Sequence, residues 1–205
     1  DNIFKNFYGT TLNLNQLQKK IEEITKRYKS EGYSLFRITG PERIDESGIV
    51  TLKVTEGIIS EIIPRFLGNN GETTTDDNKD IKGKTKTWVI KRELKSKEGS
   101  VFNRKILEAD IGRLYATSLF DDIKVSLAPD ELNSDQAKII LSLSEQRTGS
   151  LTGGVGYSNG SGIFATIGLQ ETNAFGRAWS TNLNLNFGEY STTYNFSLTD
   201  PWIKG

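Results

Sequence analysis

Leu14, Leu17, Ile21, Ile24 and Tyr28 recur at spacings of three and four with lysine and glutamate between them. That pattern predicts an amphipathic helix over residues 13–29, stopped by Gly32. Ahead of it, "NIFKNFYG" reads as a short helix closed by Gly9. Residues 33–39 and 49–55 read as strands, the second with Val50, Leu52 and Val54 on one face. The same order returns after Gly57 with a strand in front: a strand over residues 58–67, helices over 87–97 and 103–117, then strands in "DDIKVSL" and "AKIILSLSE". Asn103 is the N-cap of the second of these helices, and Ile106, Leu107, Ile111, Leu114 and Tyr115 form its apolar stripe. Two runs of strand, helix, helix, strand, strand, the first without its opening strand, constitute a repeat. Residues 68–85, "GNNGETTTDDNKDIKGKT", are too polar and glycine-rich to bury anything and read as a mobile surface loop.

The pattern changes near Gly149. Residues 149–158, 161–171, 178–187 and 190–199 alternate apolar and polar positions, each near the ~9 to 11 residues of a tilted transmembrane strand. The connections "NG", "TNAFG" and "FGE" are short and carry glycine, so the segment reads as an antiparallel meander. In "STNLNLNFGEYSTTYNFSLTDPW" the polar parity holds Asn, Ser and Thr in place of charge. The half-buried sheet of a soluble sandwich alternates as well. Against that stand the uncharged polar parity and the aromatics near strand ends, at Tyr157, Phe175, Trp179, Phe187, Tyr190 and Trp202. Both are features of a barrel with a wet lumen and aromatic belts. On that reading Ile163, Ala165, Ile167, Leu169, Leu183, Leu185, Phe196 and Leu198 face lipid. Four strands are too few to close a barrel, so these would be the first strands of a larger one.

Composition sharpens this picture. The 205 residues contain no Cys and no His, which removes thiol nucleophiles, disulfides, His-based acid/base pairs and the commonest zinc ligand sets. No cofactor, metal or enzymatic activity is expected. Lys plus Arg and Asp plus Glu each total 26, so no global field points to nucleic acid. The charge is concentrated before residue 151; beyond it stand only Glu171, Arg177, Glu189, Asp200 and Lys204. No apolar run approaches the ~20 residues of a transmembrane helix. The carboxylates Glu108, Asp110, Asp121 and Asp122 fall on a helix and at the start of a strand, and read as solvated or capping groups.

Residues 89–127, "VIKRELKSKEGSVFNRKILEADIGRLYATSLFDDIKVSL", carry a "REL" helix, a glycine before the next helix and a Leu-Phe-acidic lead into the following strand. "RTGSLTGGVGYSNGSGIFATIGLQETNAFG" and "LTDPWI" look like a first barrel hairpin and the end of a fourth strand. In these features the chain resembles the BamA-like outer-membrane assembly proteins, whose polypeptide-transport-associated (POTRA) domains precede a barrel. The cyanobacterial and chloroplast branch is the nearest in pattern. The resemblance implies an α+β fold of two POTRA domains followed by the first four antiparallel strands of an incomplete transmembrane β-barrel. Residues 1–57 would be a POTRA domain lacking its first strand, 58–146 the last POTRA domain with loop 68–85 inserted, and 147–205 the barrel strands. The family's "RGF" loop motif, the start of the first POTRA unit and a signal peptide are absent from the sequence.

What the resemblance implies for function is assembly or insertion of outer-membrane proteins. The POTRA domains would bind unfolded β-barrel clients by β-augmentation at Tyr33, Leu35 and Arg37 and at Ile123, Lys124, Val125 and Ser126. Arg37 and Lys124 are also the charges that could blunt those edges. Leu151, Thr152, Gly153, Gly154, Val155, Gly156 and Tyr157 would form a seam strand, weakened by its glycines, that templates a client strand. The expected partners are unfolded clients, accessory assembly subunits and the lipid bilayer, with no nucleic acid. The expected location is a bacterial outer membrane with POTRA domains in the periplasm, or the chloroplast outer envelope. Two alternatives remain open: a polypeptide-translocating channel, for envelope import or two-partner secretion, and a soluble β-sandwich binding module.

Overall fold

The computed structural model describes residues 4–5, 8–68, 70–75, 77–160 and 162–202. The short helix expected ahead of Gly9 falls largely outside them. The chain divides into two compact units, one of Asp1–Ile63, Lys95–Asp110 and Ser126–Ile140, the other of Pro64–Leu94, Ile111–Val125 and Leu141–Gly205. In chain order the elements are α1 (Leu14–Ser30), β1 (Arg37–Ile44), β2 (Val50–Thr55), β3 (Ile58–Phe66), α2 (Thr87–Glu93), α3 (Arg104–Ala116), β4 (Phe120–Pro129), β5 (Gln136–Glu145), β6 (Gly149–Ser158), β7 (Gly162–Ala174), β8 (Trp179–Gly188) and β9 (Thr192–Thr199). Strand orders are β1-β2, β3-β5-β4 and β6-β7-β8-β9.

In the first unit, Asn13 starts α1 by accepting the Asn15 and Gln16 N–H groups at 3.0 and 3.2 Å, and Leu17 and Ile24 are its buried positions. The helix ends at Gly32, whose φ of +107° a side chain would resist and whose Cβ position is filled by the Asn103 side chain. Asn103 serves two helices at once. Its amide donates to the Glu31 carbonyl at 3.2 Å, and its Oδ1 accepts the Lys105 and Ile106 N–H groups at the start of α3.

The first strand begins later than the alternation suggests. Tyr33 and Leu35 lie in a turn ahead of β1, and only Arg37 of that expected edge set is in the strand. The Phe36 N–H donates to the Tyr33 carbonyl at 3.1 Å, and the buried Phe36 ring stacks on Tyr28 at 4.1 Å. These contacts bend the chain where local propensity favours extension. β1 then runs on to Ile44, paired antiparallel with β2 from Arg37↔Thr55 to Ile44↔Val50. Asp45 closes the hairpin: the Ser47 hydroxyl and the Ile49 N–H donate to its carboxylate, holding the carboxyl below its ordinary range.

The helix expected over residues 87–97 stops at Glu93. Leu94 turns extended, and the next two N–H groups, of Lys95 and Ser96, donate to the Asp110 carboxylate at 2.7 and 2.9 Å. Asp110 is wholly buried in α3, so this carboxylate is a core acceptor and not a solvated group. Of the α3 stripe, Leu107 and Leu114 are buried, whereas Ile106 and Tyr115 are largely exposed. β5 buries every second residue, Ala137, Ile139, Leu141 and Leu143, as the central strand of its sheet should.

In the second unit, β6 to β9 form a four-stranded antiparallel meander at the expected places, with β7 running three residues beyond expectation to Ala174. Within residues 68–85, Thr74 and Asp80 form a small antiparallel bridge, and the Thr75 N–H donates to the Lys79 carbonyl at 2.8 Å. Thr85 at the end of this stretch is 2% exposed. The stretch therefore finishes in buried structure rather than as solvated loop.

Candidate functional site

The register of the meander sorts its side chains into two faces. One row reads Leu151, Leu169, Leu183 and Phe196 across β6 to β9, the next Gly153, Ile167, Leu185 and Tyr194, the next Val155, Ala165, Phe187 and Thr192. Ile163 joins this face opposite Tyr157, and Leu198 opposite Thr181. All eight residues expected to face lipid thus share one face, and its members Leu151, Val155, Tyr157, Ile163 and Phe196 are exposed. The other face carries Thr152, Gly168, Asn184 and Asn195 in one row and Gly154, Thr166, Asn186 and Thr193 in the next. No charge interrupts these rows. Phe175 and Trp179 pack edge to face at one end of the strands, and Phe187 and Tyr194 do so toward the other.

β6 stands at the edge of this sheet and pairs only with β7 among the described residues, from Gly149↔Glu171 to Ser158↔Gly162. All seven expected seam residues, Leu151 to Tyr157, lie in it. On its opposite edge no other strand of the described residues pairs with it.

The expected POTRA edge residues Ile123, Lys124, Val125 and Ser126 lie in β4, an edge strand of the order β3-β5-β4. The other edge, β3, is covered at its start: the Ile59 N–H donates to the Ser100 carbonyl, the Gly99 N–H to the Ile59 carbonyl, and the Ile62 N–H to Glu98. On β4 the Ile123 N–H donates to the Tyr115 hydroxyl at 3.0 Å, so it points away from β5, and the Val125 N–H points the same way by strand alternation. Lys124 pairs with Asp122 at 3.4 Å. Arg37, in β1, is ion-paired with Asp135, which Lys53 approaches at 3.7 Å.

A third constellation fixes residues 84–86 to the β7–β8 turn. Glu145 accepts the Lys84 and Thr85 N–H groups at 2.7 and 2.6 Å, and the Lys84 ammonium reaches Glu171 at 2.6 Å and Thr148 at 3.1 Å. The Lys86 N–H donates to the Gly176 carbonyl at 2.8 Å. Asn173 donates to the Thr85 hydroxyl and accepts the Ala178 N–H, holding a turn in which Phe175, Gly176 and Ala178 all have positive φ. The turn after β9 is held by Arg92 of α2, whose guanidinium lies 5.1 Å from the Trp88 ring and 4.7 Å from that of Trp202.

Residues 1–57 match the family described as POTRA domain, ShlB-type, and residues 78–146 the POTRA family described as surface antigen variable number repeat. The chain is 29% identical to Outer envelope protein 80, chloroplastic, of Arabidopsis thaliana over 98% of its own length and 27% of that relative's. It is 38% identical to the solved POTRA1-3 of the periplasmic domain of Omp85 from Anabaena, with a TM-score of 0.64 over 70% of this chain and 56% of that one. The chain belongs to the BamA-like superfamily, on its cyanobacterial and chloroplast branch.

The BamA-like fold extends to the strands. BamA from Haemophilus ducreyi lacking POTRA domains 1-3 matches all of this chain and 38% of its own at a TM-score of 0.54 and 24% identity, a likeness of fold. Within this BamA-like chain the sequence pattern does not single out Lys84, Thr85, Glu145, Asn173, Gly176 or Arg92, and it marks Tyr115 only as part of an apolar stripe. The one signal was the abrupt end of a polar, glycine-rich stretch at "KGKT", since a loop that stops at a short polar residue before a helix is often anchored there.

Proposed function

We propose that this chain is the POTRA and first-strand portion of an outer-membrane β-barrel assembly factor, seated in a cyanobacterial-type outer membrane or the chloroplast outer envelope. Its POTRA units face the periplasm or intermembrane space and receive unfolded β-barrel clients, with β4 as an edge for augmentation. The work is binding and templating, and no covalent step is involved. The observation that carries the reading is β6, which has glycines at 153, 154 and 156 and pairs with β7 alone among the described residues, in a sheet with one apolar and one uncharged polar face. In a bilayer each unpaired backbone group costs several kcal/mol, so β6 must always have a partner strand. Each glycine weakens its pairing by roughly 0.5–1 kcal/mol relative to alanine. A strand that must be paired but is held weakly is one whose partner can be exchanged for a client strand.

The test is reconstitution of the full-length protein in liposomes with an unfolded barrel client. Assembly predicts client that is membrane-embedded, heat-modifiable and protease-protected in its strands. Client recovered free in the liposome lumen would instead establish translocation and overturn the assembly reading.

A further inference from the structure

The glycines of β6 are not equivalent. A Cβ at Gly153 would lie 3.8 Å from the Thr166 carbonyl oxygen, and one at Gly154 3.4 Å from the Thr166 hydroxyl, both ordinary contacts. At Gly156 that space is taken by the Phe164 ring, with Cζ 2.6 Å and two further ring carbons 3.1 Å from where a Cβ would sit. Phe164 pairs with Gly156 on one side and Gly188 on the other. It is the one aromatic on the polar face of the meander among the described residues. An aromatic ring laid over a cross-strand glycine restores packing that the glycine removed.

We propose that Phe164 is a positioning residue that keeps β6 on β7 while β6 exchanges its partner on the opposite edge. The inference rests on β6 being the client-pairing strand. Glycines weaken both edges of a strand alike, so a seam built from glycine alone would part as readily from β7 as from its exchangeable neighbour. Phe164 breaks that symmetry, because its ring joins β6 to β7 only. The need for glycine therefore concentrates at Gly156, while Gly153 and Gly154 have room for a methyl group.

The test uses the full-length protein in membranes. Val155→Cys combined with Ala165→Cys reports β6–β7 pairing through the disulfide the two substitutions can form, since these positions face each other in register and the 205 residues contain no other cysteine. A photocrosslinker at Leu151 reports client pairing separately. Phe164→Ala should lower the yield of that engineered disulfide during client assembly, by up to roughly fivefold if the ring is worth one strong cross-strand pair. Phe164→Tyr should restore it, and Gly153→Ala, which has room for its methyl group and removes a weakening glycine, should not lower it. If Phe164→Ala does not assemble, Gly156→Ala, which displaces the ring, should give the same loss. An unchanged disulfide yield in whichever of the two variants assembles overturns the proposal. Loss of the Leu151 crosslink in the parent protein, with its disulfide intact, overturns the seam reading instead.

Discussion

The Asn173 side-chain amide donates to the Thr85 hydroxyl at 2.8 Å, and each residue is only 2% exposed. A buried pair of this kind gives a modest net gain when formed but a large loss when one partner is removed. Asn173→Leu orphans both the Thr85 hydroxyl and the Ala178 N–H and should destabilise the second unit by about 3 kcal/mol. Thr85→Val should cost less, about 1–2 kcal/mol, and the double variant less than the sum of the two. Urea titration followed by tryptophan fluorescence measures all three.

Gly176 carries a φ of +71°, and a Cβ there would collide with the Lys84 carbonyl oxygen. Gly176→Ala should push residues 84–86 off the turn and lose at least about 1 kcal/mol. Because the Lys86 N–H donates to the Gly176 carbonyl, its hydrogen exchange should accelerate in the variant while amides in β5 keep their protection. Unaltered exchange at Lys86 would refute this attachment.

Asp110 accepts two backbone N–H groups at the break after α2. Asp110→Ala leaves them without this acceptor inside the core and should cost on the order of 3 kcal/mol. Asp110→Asn keeps one acceptor oxygen and should fall between the parent and the alanine variant. The urea denaturation midpoint should follow that order.

Tyr115 occupies one outward donor of β4 through its hydroxyl. Tyr115→Phe should speed hydrogen exchange at Ile123, with little loss of stability because water can reach this edge. If β4 is a client edge, the same change should strengthen client binding. Val125→Pro should weaken it, since that N–H points to the open side and proline removes it without breaking the β4–β5 ladder. Client binding that ignores both substitutions would remove β4 from the account.

The meander was legible in the sequence because a period of two is visible residue by residue. Leu183, Leu185 and Phe196 need no tertiary information to be put on one face. Asp110 was misread for the opposite reason: its partners are backbone groups 15 and 14 residues away, and composition carries no trace of them. Thr85 and Asn173 are 88 residues apart and looked like loop and turn. Tyr33 and Leu35 have strand propensity, but Gly32 and the Tyr28–Phe36 stack fold their segment into a turn. Local pattern thus revealed the elements and faces, while the polar groups that fasten them together became visible only with their partners in place.

The central claim is that a client pairs with β6, and site-specific photocrosslinking in the full-length protein during client assembly addresses it directly. With the crosslinker at Leu151, Val155 or Tyr157, the client's terminal strand should be captured, while the same probe at Leu183 or Leu185, inside the sheet on β8, should capture none above background. Clients that insert at the normal rate without any crosslink from β6 would contradict the account.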